Sequence, residues 1–165
     1  NGDRVTVVGD AMNSARLHGV ARMANGQIVA CGDWGAIVRV ELGVVEFVRS
    51  ICAGHLLAIA PHAEGAVTVG VGGHALSLGP NLDAQLEAVQ TTRDLLSLTV
   101  SDDGQVWAGS AQARLLRRST QGGASQWIRM SGDIGVTSSV IAIAAGHRIV
   151  RAIGDDGTVV EGRIA

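Results

Sequence analysis

Two aspartate pairs, Asp102-Asp103 and Asp155-Asp156, look most like catalytic machinery in this chain. Neighbouring carboxylates can divide acid and base work between them. Each pair runs straight into a glycine, Gly104 or Gly157. Aspartate ahead of glycine is ordinary turn chemistry, and that reading takes precedence. The five histidines, His18, His55, His62, His74 and His147, show neither HExxH nor a short H-x-H spacing. They therefore predict no metal centre. Cys31 and Cys52 fit neither a disulfide framework nor a paired-cysteine zinc site, and they favour a reduced, cytoplasmic compartment. No serine–histidine–acid or cysteine–histidine set can be assembled. The glycine groups Gly70, Gly72, Gly73 and Gly122, Gly123 are not followed by the lysine of a phosphate loop. No catalytic residue and no cofactor is expected.

Binding chemistry is better represented. Trp34 lies in Asp33-Trp34-Gly35, a loop-like setting after a strand-like run. An aromatic ring there can anchor a partner. Trp107 and Trp127 stand in strand-like runs and belong to the core. Asp33 and His74 join Trp34 as candidate binding residues. Arg114, Arg117 and Arg118 form the only basic cluster. With Leu115 and Leu116 between them they read as a strand with a solvated edge. Arg114 and Arg117 remain candidates for an acidic partner or a phosphate.

These residues need a scaffold, and the composition limits its type. The 165 residues are 47% hydrophobic, 17% charged and contain 23 glycines. That is too apolar for a disordered chain and too broken by glycine for a helical bundle. A net charge of −2 gives no attraction to nucleic acid or an anionic membrane. The low-charge stretch over residues 58–79 is interrupted by Pro61, His62, Glu64 and His74, so it reads as strands and not as a membrane span. No basic start followed by an apolar run marks a signal peptide, and the opening Asn1 suggests a processed piece.

The chain repeats itself. Asn25-Gly26, Glu64-Gly65, Asp103-Gly104 and Asp156-Gly157 each stand between apolar, strand-like runs. Such dipeptides supply the positive φ of a two-residue hairpin. Second glycines follow at Gly32, Gly70 and Gly109. Ala53-Gly54-His55 and Ala145-Gly146-His147 stand ten residues ahead of two of the turns, which aligns His55 with His147. The pattern predicts repeats over about 17–50, 51–90, 91–130 and 131–165, plus an N-terminal strand over 3–9. Four short strands per roughly 40 residues is the period of a propeller blade.

The stretch VWAGSAQARLLRRSTQGGASQW, with Val106, Trp107, Gly109, Leu115, Ser119, Gly122, Gly123 and Trp127, resembles the Asp-box (BNR) propeller repeat, including photosystem II assembly factor propellers. Gln121 stands where that repeat carries its aspartate. SVIAIAAGHRIVRAIGDDGTVVEG resembles repeats of the regulator of chromosome condensation type. Both resemblances imply an all-β protein, a β-propeller of short four-stranded blades with about four repeats, as one domain or as part of a larger ring. Neither implies an active site. The expected function is a non-enzymatic scaffold that presents propeller loops to a protein partner, without nucleic acid or membrane. The alternative is a carbohydrate-binding or glycosidase-like propeller. Arg4–Val8 is expected to pair with the carboxy-terminal strands, within the chain or in a second copy completing the ring.

Overall fold

The computed structural model describes residues 15–48, 51–121, 124–130, 138–146 and 148–163. The N-terminal strand expected over 3–9, Gly122, Gly123 and His147 lie outside them. The described chain is nearly all β and forms four antiparallel sheets in sequence order. Blade 1 consists of β1 (Leu17–Arg22), β2 (Ile28–Gly32), β3 (Ile37–Glu41) and β4 (Val44–Val48). Blade 2 consists of β5 (Leu56–His62), β6 (Gly65–Gly70), β7 (Ala75–Leu78) and β8 (Ala84–Leu86). Blade 3 has β10 (Leu95–Val100), β11 (Val106–Ser110), β12 (Arg114–Gln121) and β13 (Ala124–Arg129). The short β9 (Ala88–Val89) pairs parallel with β13. Blade 4 has β14 (Val140–Gly146), β15 (Ile149–Gly154) and β16 (Val159–Arg163). The first strands of successive blades lie side by side, so the four sheets stack as a partial propeller.

Stacking follows from which residues each strand turns to its neighbours. Ala21, Val29, Cys31 and Ile37 of blade 1 pack on Leu56, Ile59, Ala66, Leu76 and Leu78 of blade 2. Val67, Val69 and Ala75, on the opposite face of blade 2, pack on Leu95, Val106, Leu116 and Trp127 of blade 3. Trp107 and Leu115 then meet Val140, Val150 and Ala152 of blade 4. As the alternation predicts, both strand tryptophans are core: Trp107 is 1% and Trp127 0% exposed. Each buried methylene contributes about 0.8 kcal/mol, so these three layers hold the blades together.

The turns correct the sequence alignment in two ways. Gly26, Gly104 and Gly157 do take positive φ, at 86°, 82° and 84°. They close three-residue loops, with Met23, Ser101 and Gly154 bonded across to Gln27, Gln105 and Thr158, because only the last loop residue needs the left-handed conformation. The second hairpin instead turns over Ala63-Glu64, and Gly65 is already the first residue of β6.

The larger correction concerns blade 4. Every blade opens with a register shift in its first strand, at Leu17/Gly19, Leu56/Ala58, Leu95/Ser97 and Val140/Ala142. The residues opposite are Gly32, Gly70, Ser110 and Gly154. Ser110, not Gly109, is therefore the partner of Gly32 and Gly70. The Asp156-Gly157 turn joins β15 to β16, the second and third strands of its blade, whereas Gly26 and Gly104 join first to second. Gly54 precedes β5, but Gly146 ends β14, so the matching Ala-Gly-His tripeptides are not equivalent. An Asp-Gly turn obeys the same local chemistry in either hairpin, which is why the sequence match misleads.

Candidate functional site

The loop joining β2 to β3 is built by two consecutive left-handed residues, Trp34 at φ 58° and Gly35 at φ 72°. The same pair recurs as Gly72-Gly73 in blade 2 and Gln112-Ala113 in blade 3. Blade 2 places a glycine where blade 1 places a tryptophan. A bulky residue in this conformation costs of order 1–3 kcal/mol. The indole stands outward from this turn, 71% exposed and tilted against the His55 ring at 4.6 Å between centroids. Trp34→Gly is expected to raise stability, by about 1 kcal/mol in thermal melting, because it removes this backbone strain.

Asp33 gathers its surroundings. Its Oδ2 accepts the backbone N–H of Arg16 at 3.3 Å. Its Oδ1 receives His18 Nε2 at 2.7 Å and His55 Nδ1 at 2.8 Å. The hydrogen bonds from His18 first and His55 second lower the carboxyl to about 2, so it is ionised throughout the neutral range. A carboxylate only accepts, so both imidazoles donate from the nitrogen facing it. Three separate elements contribute: His18 from the shifted residue of β1, Asp33 from the turn after β2, and His55 from the segment entering β5. The sequence singled out Asp33 and Trp34 but not His18 or His55. The missing signal is spacing, because the partners lie 15 and 22 residues from Asp33.

The other sequence candidates are placed as follows. His74 leads into β7, and its Nδ1–H donates to Val71 O at 2.6 Å, which ties it to its own turn. Its ring neighbours Gly54, next to His55 in sequence. Arg114 begins β12 and lines a cavity of about 220 Å³ between blades 3 and 4, together with Trp107, Arg129 and Arg163. Arg117 sits three residues farther along β12, opposite Trp107, with its guanidinium 6.0 Å over that ring, a cation–π contact within the blade. Arg118 is a core residue: it and Trp127 both bond to the buried Glu87. Asp33, Trp34 and His74 thus share the loop edge of blades 1 and 2, while Arg114 and Arg117 belong to a separate place.

No protein-family model matches the chain, and no curated protein matches it in sequence. Solved structures do match in shape. A computationally designed protein, Ika4, superposes with a TM-score of 0.73 at 17% identity, over 99% of this chain and 100% of its own. The propeller domain of Swd1 from Myceliophteria thermophila gives a TM-score of 0.66 at 14% identity, over 92% of this chain and 54% of that domain. YCF48 from Cyanidioschyzon merolae gives 0.66 at 21% identity, over 89% and 50%. A catalytically inactive virginiamycin B lyase from Staphylococcus aureus gives 0.67 at 11% identity, over 91% and 56%. The chain spans about half the length of these three natural proteins. Among the described residues, no helix is long and apolar enough to cross a membrane. The chain is a partial β-propeller.

Proposed function

We propose that this chain is a non-enzymatic assembly scaffold: it completes a propeller ring with a second copy of itself and presents the Trp34 loop edge to a protein partner. The observation that carries the reading is the character of the two terminal faces. Val29, Cys31 and Ile37 of blade 1, Val67, Val69 and Ala75 of blade 2, and Trp107 and Leu115 of blade 3 all bury against the next blade. The register gives blade 4 the equivalents Arg151, Ile153 and Val159. Ile153 and Val159 stay 44% and 66% exposed.

Blade 1 shows the complementary situation. In blade 2, Ile59, Ala66, Leu76 and Leu78 form the face that receives the preceding blade. Val20, Ile28, Val38 and Val40 hold those positions in blade 1. Val38 is buried, but Val20 and Ile28 are 69% and 40% exposed. Blade 4 of one copy therefore offers what blade 1 of another needs, and two such contacts close a two-fold assembly. A closed ring of about eight blades lies within the known range for propellers. The natural propellers of similar shape are about twice this chain's length, which supports the same count.

Hydrogen–deuterium exchange at low and high protein concentration tests the reading. Amides of 17–22 and 149–163 are expected to exchange more slowly at high concentration, while the interior blades stay unchanged. Exchange in these segments that is independent of concentration would overturn it.

A further inference from the structure

We infer that His18, Asp33 and His55 form a binding site for a divalent transition metal ion of the zinc class, with the site's open side next to Trp34. The inference does not depend on how the ring closes. Two imidazole nitrogens and one carboxylate oxygen lie within 4.8 Å of one another. An ion bound at about 2.0–2.2 Å from each donor needs donors only slightly farther apart than the present hydrogen bonds. With an ion bound, the near ring nitrogen of each histidine offers its lone pair and the imidazole proton sits on the far ring nitrogen. Nitrogen and carboxylate donors together suit zinc, iron, nickel or copper, and not calcium or magnesium.

The repeat supplies an independent reason to read the cluster as more than blade architecture. Val71 and Ala111 occupy the position of Asp33 in blades 2 and 3, and their N–H groups make the same bond to the entering segment. Asp155 occupies it in blade 4, where its carboxylate accepts the Ser139 N–H just as Asp33 accepts that of Arg16. The blade thus uses, at most, the aspartate. The residues matching His18 are Leu57, Leu96 and Ile141, so the histidine is a departure confined to blade 1. The surroundings also suit a metal site. The Arg16 N–H fixes the outer carboxylate oxygen, and the Trp34 ring sets the plane of His55, the kind of support that orients ligands. Three protein donors and an accessible fourth position describe an open site. There a partner's own histidine or carboxylate can complete the coordination beside the exposed indole.

Titration calorimetry with Zn²⁺, and visible absorption with Co²⁺, test the site on the intact chain. We expect one ion per chain. His18→Ala and His55→Ala should each weaken binding at least tenfold, and His62→Ala should leave it unchanged. Histidine NMR of the unaltered protein provides a readout free of folding effects, with zinc shifting the imidazole signals of His18 and His55. The absence of saturable uptake, uptake indifferent to both substitutions, or zinc shifts confined to His62 and His74 would each overturn the proposal.

Discussion

Glu87→Ala is expected to cost about 3–5 kcal/mol of folding stability, the largest loss from any single polar side chain in the described residues. Glu87 lies on the crossing from blade 2 to blade 3, between β8 and β9. Its side chain is 3% exposed, and that of Arg118 is 8% exposed. Arg118 donates from Nη2 to Glu87 Oε1 at 2.7 Å, and its Nε–H is shared between Oε1 at 2.9 Å and Oε2 at 3.1 Å, so the guanidinium engages both carboxylate oxygens. Trp127 Nε1 donates to Oε2 at 2.7 Å. Ser125 Oγ takes the remaining Nη2 bond at 2.8 Å. Alanine would leave a buried guanidinium without its counter-charge and a buried indole N–H without its acceptor, and both carry a desolvation cost. Urea denaturation measures the effect. A loss below about 1 kcal/mol would mean that water reaches the pair and compensates it.

Ile153→Asp is the second large effect, and it falls on assembly instead of folding. In one chain Ile153 is 44% exposed, so the substitution should change the melting temperature little. Its counterparts Cys31 and Val69, each packed on the next blade, are 0% exposed, so in a closed ring an aspartate at this position would be a buried, unpaired charge. Association is expected to weaken at least 100-fold, which corresponds to roughly 3 kcal/mol. Sedimentation velocity across a dilution series checks this. A variant that both unfolds and dissociates would show instead that Ile153 supports its own blade.

Different parts of this molecule were legible in the sequence to different degrees, and the reason is range. Turn chemistry is local, so Asn-Gly and Asp-Gly reported three loops and the roughly 40-residue period. Alternation is also local, so it placed Trp107 and Trp127 in the core. Trp34, flanked by aspartate and glycine, was readable as exposed. The sequence was less informative wherever equivalence depends on pairing. Gly157 obeys turn rules in the wrong hairpin, and only the registers of β10 with β11 and of β14 with β15 show that Ser110 and Gly154 complete the series begun by Gly32 and Gly70. The chain leaving blade 2 divides at Glu87 into β8 and β9, because that carboxylate leaves the blade edge to meet Arg118, 31 residues on. Such a partner cannot be read from spacing, and neither can the convergence of His18 and His55 on one oxygen.

Gly109 is not the register partner of Gly32 and Gly70, but packing requires a glycine there. A side chain there would meet Val140 and Ser97, so the glycine lets blade 4 approach blade 3 closely. Its counterparts in the other blades are Cys31, Val69 and Ile153, all larger.

The mass of the intact chain in solution tests ring completion most directly. Multi-angle light scattering on the eluting protein at micromolar concentration should give twice the 16.9 kDa of one chain, and the Ile153→Asp variant should give that mass once. A compact species with the mass of a single chain, unchanged by concentration and indistinguishable from the variant, would contradict the account.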